Sequence, residues 1–198
     1  MLYELAHYIQ SHISFVWDVV EFGNSEVFGM KHHQKMKDIP KLLDKYTEKF
    51  QVIEAQKEDV NSLERFFSEQ PKEAFRFFNP HGFDEKTLLK LINRKSFLMF
   101  LVKDGEEIVG YFFLRCFANG KAFKGRLVDA RRRNQGIGKL MGNIINDVIS
   151  HLGLKLFTTI SPENYACLAS AKAVNDIKII RTLENGYYYI ECMPKKIS

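Results

Sequence analysis

The segment 125–149, GRLVDARRRNQGIGKLMGNIINDVI, constrains the fold more than any other part of the chain. An apolar strand pattern ends at Val128, Arg133 follows five residues later, and the residues after Gly138 have the periodicity of an amphipathic helix. Gly136 and Gly138 allow the backbone to turn sharply and to approach a ligand closely. The free amides at the start of a helix carry a partial positive charge. This strand-turn-helix segment therefore predicts a cradle for a pyrophosphate group.

Two other interpretations of these glycines compete with the pyrophosphate cradle. The dinucleotide-binding fold needs three glycines after the first strand of a βαβ unit, with an acidic residue about 20 positions later. Here a run of antiparallel hairpins precedes the turn, and the lysine pattern of phosphate-binding loops is absent. A tight strand-to-helix turn that binds nothing is the remaining alternative.

The rest of residues 51–198 alternates between strand and helix patterns. Strands are expected at about 51–55, 96–102, 107–117, 122–128, 154–160, 177–183 and 187–192. Helices are expected at about 58–68, 138–152 and 164–174, and over TLLKLINRK with Asp84 as N-cap. Asp104-Gly105 and Asn185-Gly186 are signals for two-residue hairpins. The order β α α β β β α β α β β predicts a mixed α/β (α+β) domain.

Residues 1–50 have a different pattern, which predicts a helical extension before the main domain. A stripe of apolar residues indicates one amphipathic helix that ends at Gly23. The stripe consists of Leu2, Leu5, Ile9, Ile13, Val16 and Val20. A second helix is expected over 39–50, with Asp38 and Pro40 as its start signals. We expect the stripe to pack on the domain or to form a homodimer rather than to lie on a membrane, because its helix has no basic residues.

The net charge of +5 is distributed unevenly along the chain. Residues 1–50 hold six lysines and seven acidic residues, so they carry −1 and the remaining 148 residues carry +6. Part of this excess surrounds the glycine turn, in the run Arg131-Arg132-Arg133 and at Lys124, Arg126 and Lys139. Because no nucleic-acid recognition motif accompanies the basic residues, we expect a small phosphorylated ligand rather than a nucleic acid.

Cysteine usage and hydropathy limit the setting in which the chain works. The three cysteines are an odd number without a Cys-x-x-Cys spacing, which argues against a disulfide framework and against a zinc site. A reducing, cytoplasmic setting without a bound metal is therefore expected. No run of about 18 apolar residues occurs, and the first residues lack the basic segment of a signal peptide. We expect neither a membrane span nor a leader.

The RNQGIG turn resembles the signature of the GCN5-related N-acetyltransferase (GNAT) family. That signature is a strand ending in Val followed by R/Q-x-x-G-x-G/A, and the match includes the spacing back to Val128. The resemblance covers about residues 51–193 and includes the order of the elements. It implies a GNAT fold, in which a mixed central sheet splays apart between its fourth and fifth strands to admit acetyl-CoA.

The resemblance also implies which residues hold acetyl-CoA. The backbone of Leu127 and Val128 would pair with the pantetheine arm, and Arg133 would support the loop or contact the phosphates. Asn164, at the head of the helix after strand five, would lie near the pantetheine and the acetyl end. The amides that would hold the pyrophosphate are those of Asn134, Gln135, Gly136, Ile137, Gly138 and Lys139.

The chain departs from the family at two positions that often carry proton transfer. Many members have a tyrosine seven residues after the asparagine as general acid for the CoA thiolate, and this position is Ala171 here. Ser170, one residue earlier, is the candidate hydroxyl in its place, with simple packing as the alternative. One branch has a glutamate base five residues before the asparagine, and this position is Thr159 here.

The remaining candidate for a general base is His81, in the stretch FFNPHGFDEKTL just before the second helix. Its loop is bounded by proline and glycine, and the intrinsic pKa of histidine suits proton transfer near neutral pH. The alternative is that His81 and Asp84 serve only the turn and the helix cap. His32 and His33 lie in a lysine-rich stretch and are expected to be solvent-exposed.

Taken with the resemblance, these residues predict an N-acetyltransferase that transfers the acetyl group of acetyl-CoA to a primary amine. The stretch F-x-P-H-x-F-D at 78–84 is similar to acetyltransferases encoded with bacterial surface-polysaccharide enzymes, so the expected acceptor is a small molecule such as an amino sugar. Acetylation of a protein N-terminus or a lysine is the alternative within the family. A non-catalytic CoA-binding or interaction module is the alternative outside it, because the usual tyrosine and glutamate are absent.

Overall fold

Apolar strand segments assemble into a seven-stranded sheet in the computed structural model, which describes residues 14–195. The strands are β1 (Gln51–Glu54), β2 (Phe97–Asp104), β3 (Glu107–Cys116), β4 (Lys121–Val128), β5 (Lys155–Ile160), β6 (Asn175–Thr182) and β7 (Tyr188–Pro194). The α-helices are α1 (Ser14–Lys37), α2 (Ile39–Leu43), α3 (Val60–Ser68), α4 (Glu85–Ile92), α5 (Ile137–Leu152) and α6 (Tyr165–Val174). Short 3-10 helices lie at Asp44–Tyr46, Lys57–Asp59, Lys72–Phe75 and Ala130–Arg132.

The strand order across the sheet is β1-β2-β3-β4-β5-β7-β6. Strands β1 to β4 form an antiparallel meander, and β5, β7 and β6 form a second antiparallel group. The two groups meet at the parallel pair β4 and β5, where residues 121–123 lie opposite residues 155–157. The predicted order of elements and the mixed α/β fold class are confirmed.

Each face of the sheet carries an apolar core. On one face α5 and α6, together with α1 and α2, cover Phe100 and other even-numbered residues of β2. On the opposite face α3 and α4 cover Met99 and other odd-numbered residues of the same strand. Because side chains alternate between faces, a strand that is buried on both sides has an unbroken apolar sequence such as FLMFLV.

Both predicted hairpin turns are present. Gly105 between β2 and β3 has φ +60, and Gly186 between β6 and β7 has φ +80. These left-handed conformations are available to glycine without the steric penalty that a Cβ atom brings. The short-range turn signals were therefore sufficient to place both hairpins.

The first described helix is longer than expected. α1 passes through Gly23 and ends at Lys37, so the predicted end of the helix at Gly23 was wrong. A glycine inside a helix costs about 1 kcal/mol relative to alanine. Contacts with the sheet offset this cost, because the Asn24 side chain bonds the carbonyl of Cys116 and the amide of Ala118 at 3.0 Å each. Val20, predicted on the inward stripe, is 55% exposed, and residues 1–13 of that prediction lie outside the described residues.

Burial on α1 also corrects one of the two histidine predictions. His32 is only 7% exposed and stacks on the buried ring of Phe28, with ring centroids 4.5 Å apart, whereas His33 is exposed as expected. Burial lowers the pKa of His32. The second helix, α2, ends at Leu43 instead of Phe50, because the chain tightens into a 3-10 turn before β1.

The described part of residues 1–50 shares its core with the sheet. Phe28, Ile39, Leu43 and Phe50 pack in the same apolar cluster as the inner face of α5. The boundary between an extension at 1–50 and a domain at 51–198 stays a prediction. Among residues 14–195, no helix has the length and apolarity needed to cross a membrane.

Candidate functional site

A cleft opens where the two halves of the sheet separate. Hydrogen bonding in register between β4 and β5 stops at Phe123 and Phe157. The hydroxyl of Thr158 then donates to the carbonyl of Lys124 at 3.3 Å. Beyond that bond, no hydrogen bond joins the two strands in the described chain, so residues 125–128 leave one backbone edge unpaired. Leu127 and Val128, predicted to pair with the pantetheine arm, lie on this edge and pair with Tyr111 and Gly110 of β3 on the other.

The glycine turn, residues 133–139, lies at the open end of this cleft. Asn134 and Gly136 both have left-handed backbone angles, with φ 61 and φ 82. The turn is exposed except at Ile137 and Gly138, and a Cβ atom placed on Gly136 would meet no atom within 4 Å. Within residues 14–195 the amides of residues 134–138 have no hydrogen-bond acceptor. Five adjacent donors are thus available to a ligand at the start of α5.

Lys139 differs from the other residues of the predicted cradle. Its amide donates to the carbonyl of Gly136 at 3.0 Å and so belongs to the first turn of α5. The exposed ammonium group of Lys139 is the part of the residue that can reach an anion.

Contacts with the core, with β4 and with the residues after α3 hold the glycine turn in place. Ile137 is 1% exposed and anchors the start of α5 in the core. The Arg126 guanidinium donates to the carbonyl of Gly138 at 2.6 Å. Across the sheet, Gln70 accepts a hydrogen bond from the Ala130 amide at 3.0 Å, which links the end of α3 to the loop after β4. These contacts preorganise the five free amides.

Ion pairs neutralise part of the positive charge that the sequence places around the glycine turn. Arg131 pairs with the buried carboxylate of Asp129 at 2.7 Å, and Arg132 pairs with Asp104 and Glu107 at 3.3 and 3.2 Å. The Arg131 guanidinium holds the pKa of Asp129 below its usual value. Arg133 is exposed and has no hydrogen bond or ion pair within residues 14–195. Of the three consecutive arginines, Arg133 is the one whose charge is available to a ligand.

Asn164 caps α6 at the opposite side of the cleft. Its side-chain oxygen accepts a hydrogen bond from the Cys167 amide at 3.1 Å, and its own amide donates to Ser161 at 3.0 Å. The side-chain NH2 group has no acceptor within the described residues. The NH2 group of Asn164 is therefore an available hydrogen-bond donor, and its contact with the pantetheine arm stays a prediction.

The candidate hydroxyl of Ser170 lies beside the glycine turn. A Cβ atom placed on Gly138 would come within 3.4 Å of Ser170 Oγ. Ala171, the position of the family's tyrosine, is only 1% exposed and packs in the core. Ser170 is thus placed to contact a ligand of the turn, and its role as a proton donor to the thiol stays a prediction.

His81 is half-buried in a cage of aromatic rings on the other face of the sheet. Its ring centroid lies 5.3 Å from that of Phe83 and 5.7 Å from that of Phe113. Nδ1 lies 2.8 Å from the Gly82 carbonyl, and Nε2 lies 2.9 Å from the Tyr111 hydroxyl. A carbonyl can only accept, so Nδ1 carries the proton and the Nε2 lone pair accepts from Tyr111. His81 can therefore act as a base only through Tyr111 or after that bond breaks.

The cage and the cleft meet at Gly125 of β4. A Cβ atom there would fall 2.3 Å from the ring of Phe113 and 3.2 Å from that of Phe78, so only glycine fits. A second link crosses from the loop after Lys72–Phe75 to the residue before Asn164, where Arg76 pairs with Glu163 at 2.6 Å. The sequence did not predict a place in the site for Tyr111, for Gly125 or for this ion pair, because each depends on contacts between residues that are distant in sequence.

We expect His81 to make the stability of the fold depend on pH. Burial lowers the pKa of His81, although the hydrogen bond to Gly82 opposes the shift. The unfolded chain therefore binds more protons than the folded one as pH falls below about 6.5, and folding stability declines with a slope of at most about 1.4 kcal/mol per pH unit. Urea unfolding between pH 7 and pH 5 should show a steeper loss for wild type than for His81→Asn. The buried His32 is present in both proteins, so its contribution to the pH dependence of stability cancels in the comparison. Equal slopes would contradict the assignment of a neutral, buried His81.

No metal site accompanies these groups in the described chain. Within residues 14–195, no three His, Cys, Asp or Glu side chains lie close enough together to hold a metal ion.

Comparison with known proteins finds likeness at the level of structure. No protein-family model and no curated protein matches the chain. The GNAT domain of S. lividans PAT superposes with a TM-score of 0.63 at 16% identity, covering 72% of this chain and 89% of that one. The PaiA N-acetyltransferase of Thermoplasma acidophilum, solved with coenzyme A, gives 0.62 at 15% identity, covering 74% and 99%. Aminoglycoside acetyltransferase AAC(6')-Ib, solved with paromomycin and acetyl-CoA, gives 0.59 at 11% identity, covering 75% and 94%.

These likenesses establish the fold. The chain has the GNAT fold, as the resemblance of the RNQGIG turn predicted. The splay between β4 and β5, which that fold implies, is present in the structure.

Proposed function

We propose that this chain is an acetyl-CoA-dependent N-acetyltransferase (EC 2.3.1.-) that acetylates a primary amine of a small molecule such as an amino sugar. The observation that carries the proposal is the row of five free amides at residues 134–138, at the open end of the cleft between β4 and β5. Aligned amides at a helix start favour a pyrophosphate group.

The residues along the cleft match the parts of acetyl-CoA in the order in which these parts follow one another. The phosphates would bind the amides of the glycine turn, with Arg133 and Lys139 supplying positive charge. The pantetheine arm would run along the unpaired edge of β4 at Leu127 and Val128, and the Asn164 NH2 group would donate to one of its carbonyls. When bound, acetyl-CoA supplies an acetyl group activated as a thioester. Two solved neighbours with bound coenzyme A or acetyl-CoA support this assignment.

A cluster of aromatic rings beside the cleft supports a small acceptor. The rings of Phe78, Phe83 and His81 lie on the side of Gly125 away from α5, and such rings pack well against the apolar faces of sugars. The Arg76–Glu163 ion pair joins the loop before these rings to the residue before Asn164. AAC(6')-Ib was solved with paromomycin, an aminoglycoside, which supports an amino-sugar acceptor here.

The chemistry requires few groups from the protein. The acceptor amine attacks the thioester carbonyl as a free base, so its ammonium form must first lose a proton. His81 would receive that proton through Tyr111 or through water, because its Nε2 lone pair faces the Tyr111 hydroxyl. The oxygen of the tetrahedral intermediate needs a hydrogen-bond donor, and an amide on the unpaired edge of β4 can serve.

Two measurements test the proposal in order. Acetyl-CoA at 100 times its Kd should stabilise the fold by about 2.7 kcal/mol, which thermal denaturation detects as a shift in Tm. Release of CoA thiol should then be followed across a panel of amino sugars, other small amines and peptides. The proposal predicts turnover with amino sugars. Turnover with peptides alone would favour a protein acceptor, binding without turnover a CoA-binding module, and no shift in Tm would contradict the acetyl-CoA site itself.

A further inference from the structure

Lys124 is buried at the apex of the cleft without a partner. Its backbone carbonyl accepts the last hydrogen bond between β4 and β5, from Thr158. The residue is 8% exposed, and its ammonium nitrogen is buried with no hydrogen-bond partner in the described chain. A buried ammonium without a partner is strongly unfavourable, so natural sequences place it mainly where it has a role.

Two thiols and a second cation, Arg126, surround the ammonium group of Lys124. Side chains alternate along β4, so Lys124 projects to the same face as Ala122 and Arg126, under α5 and α6. The thiols of Cys167 on α6 and Cys192 on β7 are close enough to act on its charge, although neither completes a hydrogen bond of ordinary geometry. Burial and Arg126 lower the pKa of Lys124, and the two thiols oppose this shift. The ammonium therefore loses its proton more readily than a surface lysine does.

The position of Lys124 also accounts for a missing residue. Residues 164, 167 and 171 lie three and four positions apart, so they share one face of α6. Asn164 at the start of this face is the predicted pantetheine ligand, and Ala171 stands where related enzymes have a tyrosine acid. The Cys167 thiol, one helical turn before Ala171, is near enough to Lys124 to affect its charge. Lys124 on β4 thus lies on the same side of the sheet as the position on α6 where the tyrosine is absent.

We propose that Lys124 is the general acid of this acetyltransferase, which protonates the CoA sulfur as it leaves. The inference rests on the proposed function. In this step the acceptor nitrogen has bonded to the carbonyl carbon, and the proton that it carried has passed to solvent or, by way of Tyr111, to His81. The carbon–sulfur bond of the tetrahedral intermediate breaks, and its electron pair stays on sulfur. A proton passes from Nζ to that sulfur, which leaves CoA as a thiol and Lys124 as a neutral amine. Uptake of one proton, equal in number to the proton that the acceptor nitrogen releases, restores the ammonium before the next turnover.

The test replaces Lys124 with methionine, which keeps the length of the side chain and removes the charge. Hydrolysis of acetyl-CoA, in which water takes the place of the amine, allows thiol release to be measured before the acceptor is known. We expect Lys124→Met to release thiol about 100-fold more slowly than wild type. Its Tm should be equal or higher, because a buried polar group without a hydrogen-bond partner has been removed, and its acetyl-CoA-induced shift in Tm should be unchanged. Lys121→Met, at an exposed position of the same strand, is the matched control and should keep the wild-type rate.

A pH series separates proton donation from a structural effect. The ratio of the wild-type rate to the Lys124→Met rate should fall as pH rises and Lys124 loses its proton. A loss of rate that is independent of pH would overturn the assignment as acid, and so would a Lys124→Met protein that releases thiol as fast as wild type. If wild type shows no shift in Tm with acetyl-CoA, the proposed function fails. If both proteins bind acetyl-CoA and react equally, only the role of Lys124 fails.

Discussion

Gly138→Asp will weaken CoA binding at least 100-fold and leave the protein folded. A Cβ atom at this position would meet Ser170 Oγ at 3.4 Å and Val128 Cγ2 at 3.9 Å, which are ordinary contacts. An aspartate in the first turn of α5 also interacts favourably with the helix dipole, by about 0.3–1 kcal/mol. The apoprotein should therefore keep or slightly raise its Tm.

The loss of binding follows from charge and competition at the glycine turn. The new carboxylate would lie beside the free amides of residues 134–138 and would accept hydrogen bonds from them in place of a phosphate. Repulsion between two unit charges 4 Å apart is about 4 kcal/mol at an effective dielectric constant of 20, and tenfold in affinity corresponds to about 1.4 kcal/mol.

Isothermal titration with CoA measures this effect. Gly138→Ala adds a Cβ atom without a charge and is the matched control, for which we expect less than a tenfold change. An aspartate variant that still binds CoA like wild type would place the pyrophosphate away from this turn.

Phe28→Ala will destabilise the whole fold, although Phe28 lies in the predicted N-terminal extension. The ring is 0% exposed and packs in the same core cluster as α5 and β2. Removal of a buried phenylalanine ring costs about 3–5 kcal/mol, because apolar burial is lost and a cavity remains. This loss is a large part of the stability of an ordinary domain.

Urea unfolding followed by circular dichroism gives the free energy of unfolding. We expect a single transition for wild type and for Phe28→Ala, with the midpoint of the variant clearly lower. Phe22→Ala on the same helix is the control, since Phe22 is 65% exposed and its removal should change stability by less than about 0.5 kcal/mol. Two transitions in wild type, with only the first affected by Phe28→Ala, would indicate an extension that folds independently.

The predictions from sequence were most accurate where structure depends on nearby residues. The two hairpins needed only a glycine at a left-handed position next to a polar residue. The helix cap at Asp84 needed only an acceptor for the Thr87 amide, at 3.0 Å. Both are contacts between residues a few positions apart, so the local sequence contains the information for them.

Predictions failed where distant residues decide the outcome. Gly23 should end a helix by local rules, but the sheet supplies partners for Asn24, and the helix continues to Lys37. His32 resembles a surface residue in its lysine-rich surroundings, but the fold places it on Phe28 in the core. Neither the sheet nor the core is visible in a window of neighbouring residues.

The sequence by itself determined the order of elements, the hairpins and the backbone turn at residues 133–139, because these follow from periodicity and from glycine conformation. Only the three-dimensional fold decided which charges are available, since within residues 14–195 Arg131 and Arg132 pair with carboxylates and Arg133 does not. It also decided that the His81 lone pair faces Tyr111 and that Lys124 lies unpartnered at the cleft apex. The state of an ionisable side chain depends on the groups that folding brings around it, and these come from every part of the chain.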